Sequence, residues 1–131
     1  MHRTAVNPWD WSLKFGYNQG EIIENSTRQL ICAGQTAVNQ YGQPQHPDDM
    51  LGQMRLAYNN LEAVLTKAQM TAHNITGLRL FTTDIDATLE NFHVLGERLA
   101  AAAIAPPMTL LEVSRLAIPG LLFEIEATAA S

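Results

Sequence analysis

Between Leu51 and Ala68 the apolar positions recur at spacings of three and four: Leu51, Met54, Tyr58, Leu61, Leu65 and Ala68. That spacing predicts one amphipathic helix of about five turns. His46-Pro47-Asp48-Asp49 stands ahead of it; a proline suits a first helical turn and carboxylates favour its positive end. Leu89, Phe92, Gly96, Leu99 and Ala103 mark the face of a second helix. Asp86 is its candidate N-cap, and Ala105-Pro106-Pro107 its stop. Elsewhere the runs are strand-like. "EIIEN" after Gly20 and "TRQLICAG" (Thr27–Gly34) read as a pair of strands joined near Asn25-Ser26. "ITGLRLFTT" (Ile75–Thr83) reads as a buried strand. Thr109–Ser114 and Leu121–Thr128 close the chain, hinged at Ile118-Pro119-Gly120. Residues 1–19 carry no period, and "NQYGQPQHP" is a turn-rich loop. The order is β-β-α-β-α-β-β, which predicts an α+β fold: one domain over 1–131, with a single mixed sheet packed on two helices.

Strand alternation sorts the last two runs into faces. Leu121, Phe123, Ile125 and Ala127 point one way, and Leu122, Glu124, Glu126 and Thr128 the other. In the preceding strand Leu111 and Val113 oppose Met108, Leu110 and Glu112. One face is thus apolar and suited to the helices. The other is read as a mixture of leucine, methionine and three glutamates. A solvated face has no need of the leucines, and a buried one does not hold three carboxylates. Coverage by neighbouring subunits, with carboxylates at a wet rim or in a cleft, reconciles the two; a partly solvated sheet is the alternative.

Composition strengthens the first reading. The 131 residues are 47% hydrophobic but only 16% charged, against about 25% charged in an average globular chain, so the surface of a single copy is unusually apolar. Net charge is −5 and no basic run occurs, which disfavours nucleic acid as a ligand. The single cysteine fits a reducing interior. The four histidines are scattered singly, so no metal or cofactor is expected. With no signal-like start and no long apolar run, a soluble cytoplasmic protein without membrane contact is expected.

From Gly16 to Ala129 the sequence resembles the RidA/YjgF family. The resemblance is carried by "GYNQG", "ICAGQTAVNQYGQP", "QMRLAYNNLEAVLTKAQM", "LRLFTTDID" and "LLEVSRLAIPGLLFEIEATA", in order and at matching spacings. It implies a chorismate-mutase-like fold and a homotrimer with a central barrel of sheets, helices outside, and small-molecule sites in clefts between subunits. The activity it implies is hydrolysis of reactive enamines and imines, such as 2-aminoacrylate, to a keto acid and ammonia. Members with that activity carry an arginine in a Pro-Ala-Arg-Ser pattern that grips the substrate carboxylate. Here the stretch is Pro106-Pro107-Met108-Thr109, so Met108 occupies that position and speaks against 2-aminoacrylate as substrate.

Other positions match the family better. Tyr17 falls on its cleft tyrosine, and Glu124 on the glutamate that handles the hydrolytic water. Ala33 replaces a serine and removes a donor. As candidate site residues the sequence therefore offers Glu124 for catalysis and Tyr17, Met108, Ala33, Arg115 and Trp11 for ligand binding. Arg115 enters as a substitute clamp, and Trp11 as part of an aromatic wall with Trp9, Phe15 and Tyr17. Each has a plainer reading. Glu124 could be an interface carboxylate paired with Arg79 or Arg115; Glu112 and Glu126 read as structural. Met108 could be core, and the tryptophans could pin a loose N-terminal arm. Cys32 reads as an inert core thiol. Three functions remain open: an enamine or imine hydrolase, a non-catalytic small-molecule sensor, and the endoribonuclease role attached to the family, which the acidic charge disfavours.

Overall fold

The apolar stripe is helix α1 (Met50–Lys67) in the computed structural model, which describes residues 1–131. In chain order the elements are β1 (His2–Val6), β2 (Gly20–Glu24), β3 (Gln29–Thr36), α1, β4 (Ile75–Thr82), α2 (Ile85–Glu90), α3 (His93–Ala101), β5 (Met108–Glu112) and β6 (Phe123–Ala130). Asp49 caps α1, its carboxylate accepting from the Gly52 amide at 2.9 Å, so Pro47 lies just ahead of the first turn. Met54, Ala57, Tyr58, Leu61 and Leu65 are buried against a four-stranded sheet of order β3-β6-β4-β5. The β4–β5 pair is parallel and the others antiparallel, so the mixed α+β architecture expected from the sequence is the observed one.

The second helix is broken in two. Asp84, rather than Asp86, is its N-cap: extended at φ −148°, it accepts from the Ala87 amide at 3.1 Å. At Asn91 the side chain donates to the Ala87 carbonyl at 2.8 Å, competing with the backbone for helix hydrogen bonding, and α3 starts afresh two residues on. The restart keeps Val94, Leu95 and Leu99 in the core.

Strand β2 does not pair with β3 as expected. It pairs with β1, in register from His2↔Glu24 to Val6↔Gly20, as a separate two-stranded ribbon. Asn25 takes a left-handed conformation (φ 58°) and ends β2. Strand β3 instead joins β6, where Cys32 enters the core and Leu30 packs against it. Most of β1 is exposed, so it has no inside–outside alternation to reveal it as a strand. Arg3 anchors the ribbon: its guanidinium pairs with Glu21 at 3.3 Å and donates to the carbonyls of His73 and Ile75.

Along β6 the faces are those expected. Phe123, Ile125, Ala127 and Ala129 are buried, and Glu124, Glu126 and Thr128 point the other way. Along β5 the expected assignment is reversed. Because β5 lies beside β4, its parity is set by the parallel register Leu78↔Met108 and Arg79↔Thr109. Met108 and Leu110 therefore pack against the helix-side core with Leu78 and Leu80. Thr109 and Leu111 join Arg79, Phe81, Glu124 and Glu126 on the open face. Glu112 is not a member of that face's carboxylate row; it accepts from the Ile85 amide at 3.1 Å, at the start of α2. The open face remains partly apolar, with Ile31 79% and Leu111 49% exposed.

Candidate functional site

The site begins at an irregularity in β3. Cys32 pairs with Ala127 but Gln35 pairs with Ile125, so one extra residue is accommodated at Ala33-Gly34, a β-bulge. Gly34 leaves open the space that Glu124 occupies: a β-carbon there would lie 2.2 Å from Glu124 Oε1 and 2.9 Å from its Cγ. The Glu124 carboxyl is held above the usual carboxylate range, first by burial and then by the charge of Glu126. Glu126 is two residues further on the same face, about 7 Å along the strand. It pairs with Arg79 of β4 at 2.9 Å, and Arg79 in turn lies opposite Thr109 of β5.

This part of the open face borders a cavity of about 310 Å³, with Tyr17, Arg79, Met108, Thr109 and Glu126 among its walls. A second cavity of about 660 Å³ is bordered by Trp11, Phe15, Leu89, Phe92 and Leu110, with Lys14 at its edge. Tyr17 and Met108 border both cavities. Trp11 meets Tyr17 edge to face, with centroids 6.2 Å apart, a favourable aromatic geometry.

The structure thus brings Tyr17 and Met108 together, with Trp11 in the adjoining apolar chamber. Glu124 lies beside the smaller cavity rather than among its walls, next to the bulge that carries exposed Ala33. Arg115 is exposed in the loop before β6 and borders neither cavity. Trp9 is 67% exposed; Arg3 ties down the start of the N-terminal arm, and Trp11 packs against Tyr17 further along it. Sequence reasoning treated Glu126 only as structural and Arg79 only as an ion-pair partner. The signal for Arg79 was present, because it is the one charge inside the apolar run Ile75–Thr82.

Cys32 also borders the smaller cavity, but burial pushes its thiol up, against a weaker lowering by the Gln35 side chain. A protonated thiol is a poor nucleophile. Iodoacetamide at neutral pH should label Cys32 at least tenfold more slowly in the native protein than in urea-unfolded chain; comparable rates would show an activated thiol. No three His, Cys, Asp or Glu side chains converge as a metal site would require. No helix is long and apolar enough to cross a membrane.

The family model described as endoribonuclease L-PSP matches residues 13–131. The chain is 30% identical over 129 residues to the RutC family protein YjgH of Escherichia coli K12, covering 98% of this chain and 95% of that one. Among solved structures, the Rid-family protein YyfB of Yersinia pestis, described as of unknown function, superposes with a TM-score of 0.84 at 32% identity over the full length of both chains. Escherichia coli TdcF, solved with bound serine, superposes with a TM-score of 0.71 at 26% identity, covering 88% of this chain and 87% of that one.

Proposed function

The chain belongs to the endoribonuclease L-PSP family, the RidA/YjgF group, and from that premise we propose that it is a homotrimer that hydrolyses a small enamine or imine in clefts between subunits. The observation that carries this reading is Glu124, a partly buried carboxyl with a raised pKa, seated over Gly34 and two residues along β6 from Glu126 on the cavity wall. A carboxylate tuned upward is suited to general-base work near neutral pH. Glu124 takes a proton from water as the oxygen attacks the C=N carbon. Glu124 passes that proton to the nitrogen, giving a carbinolamine; the carbinolamine hydroxyl then gives its own proton to the nitrogen by way of Glu124 as the C–N bond breaks, and a carbonyl compound and ammonia leave. Serine bound to the related TdcF supports a small polar ligand on this fold. A reducing compartment such as the cytoplasm suits the single cysteine.

Ammonia release from a panel of freshly generated imines tests the proposal. Release above the uncatalysed rate for at least one imine is expected; a flat panel removes the hydrolase. A second reading, a non-catalytic sensor, is favoured by the larger cavity, whose walls are almost wholly apolar. It predicts a flat panel together with thermal shifts on adding apolar ligands. The endoribonuclease role requires RNA cleavage that survives repurification and depends on a cleft residue, and the net charge of −5 opposes it.

Met108 has no charge with which to hold a carboxylate, and a desolvated charge pair lost at such a site typically costs about 2–5 kcal/mol. Met108→Arg, at the start of an edge strand, should raise kcat/KM on 2-aminoacrylate about tenfold, a partial recovery of that energy. A folded, assembled Met108→Arg protein with unchanged activity would show that residue 108 does not decide substrate choice.

A further inference from the structure

The larger cavity is lined almost wholly by hydrocarbon, and the chemistry assigned to Glu124 does not call for it. Trp11, Phe15 and Leu89 border it while 49%, 57% and 57% exposed, and Phe92 and Leu110 complete the walls. Large apolar side chains grouped at one surface mark an interaction site. Two turns of the backbone bring them together. Asn91 ends α2 through its bond to the Ala87 carbonyl, which leaves Leu89 in the last turn of α2 and Phe92 at the cap of α3. Gly16, left-handed at φ 84°, turns the chain between Phe15 and Tyr17, which border the same cavity.

The walls say what fits. No carboxylate borders the cavity, and its one charged residue, Lys14, holds its ammonium over the Phe15 ring, 5.2 Å from the centroid, a cation–π arrangement. The volume of about 660 Å³ falls within the roughly 300–1,000 Å³ of small-molecule sites. Leu110 packs against the helix-side core, whereas the face that other copies cover is the opposite one, so assembly does not account for this chamber. Tyr17 and Met108 border both cavities, and the flexible thioether of Met108 gives the smaller one an apolar passage into the larger. We infer that the larger cavity is the pocket for an uncharged apolar substituent, an aryl ring or short alkyl chain, carried by the imine and by the carbonyl compound released from it. The inference rests on the proposed hydrolase site and narrows its substrate class. The group that reaches past Met108 is a hydrocarbon, not a carboxylate.

Titration followed by NMR with three probes, acetophenone, acetone and benzoate, tests this. The unaltered protein should bind acetophenone about tenfold or more tightly than acetone, the phenyl ring supplying the difference. Benzoate, with the same ring and a negative charge, should bind no more tightly than acetophenone. Leu89→Glu, at an exposed position that tolerates the change, places a carboxylate on the wall and should weaken acetophenone about tenfold. Trp11→Ala, which removes another wall, should weaken it several-fold and decides the matter should Leu89→Glu fail to fold. Equal affinity for acetophenone and acetone, no acetophenone binding by the unaltered protein, tighter binding of benzoate, or unchanged acetophenone affinity in the variants overturns the inference. A smaller sedimenting mass for Leu89→Glu also overturns it, because the chamber would then be a contact between copies of the chain. The imine panel separates the inference from the hydrolase proposal. Acetophenone binding that depends on Leu89 and Trp11, without turnover of any imine, removes the hydrolase alone. Turnover with acetophenone binding indifferent to both residues removes the pocket alone.

Discussion

Gln53→Ala should destabilise the fold by about 3 kcal/mol or more, at the upper end of what polar substitutions usually do. Gln53 is fully buried on α1, and its amide ties the helix to the loop before it and to the turn that leads into β6. Its nitrogen donates to the carbonyls of His46, at 3.1 Å, and Gly120, at 3.0 Å, while its oxygen accepts from the Leu122 amide at 2.8 Å. Alanine would leave a cavity and strip these backbone groups of their partner, at about 1–3 kcal/mol for each one that water cannot reach. Gln53→Glu cannot serve instead, because a carboxylate has no hydrogen to donate to the two carbonyls and would bury a charge. The Leu122 amide lies two residues before Glu124, so the same change loosens the start of the strand that presents the proposed base. Urea denaturation should show a lower midpoint with an unchanged slope. A loss below about 1 kcal/mol would mean that solvent replaces the amide and that α1 does not set the position of β6.

Glu124→Gln should act with opposite signs on activity and on stability. Removing a general base typically costs about 100-fold or more in turnover, and a comparable loss is expected on any imine the protein hydrolyses. Stability should rise at neutral pH. Burial and the neighbouring Glu126 raise the folded-state pKa of Glu124, so the folded protein holds that proton more tightly than the unfolded chain does. The ionised carboxylate therefore costs stability above the folded pKa, and the cost disappears as pH falls below the unfolded value. Relative to the unaltered protein, the variant should melt higher at about pH 8, with the difference shrinking toward about pH 4. Turnover within a few-fold of the unaltered protein, or a lower melting temperature at neutral pH, would remove Glu124 from the role assigned to it.

Much of the architecture was legible because burial imposes a period. Leu51 to Leu65 and Phe123 to Ala127 each have one face in the core, and both were readable from spacing alone. The ribbon formed by β1 and β2 was not, since its residues are mostly exposed and nothing forces alternation upon them. The reversed faces of β5 were also beyond a local reading. Whether Met108 or Thr109 faces the helices depends on which strand lies alongside, and that is a matter of strand order. Of the candidate site residues, Tyr17 and Met108 border one cavity. Arg79 was seen only as an ion-pair partner, because its proximity to that cavity depends on β4 lying between β6 and β5. The bulge at Ala33-Gly34 has no strong local signal beyond the glycine itself.

The proposed chemistry depends on the open sheet face being covered by other copies of the chain. That face exposes Ile31 and Leu111 beside Glu124 and Glu126. Sedimentation equilibrium at micromolar concentration tests this most directly. The expected result is a single species of three times the 14.4 kDa chain mass. A 14.4 kDa monomer that releases ammonia from imines at full rate would contradict it.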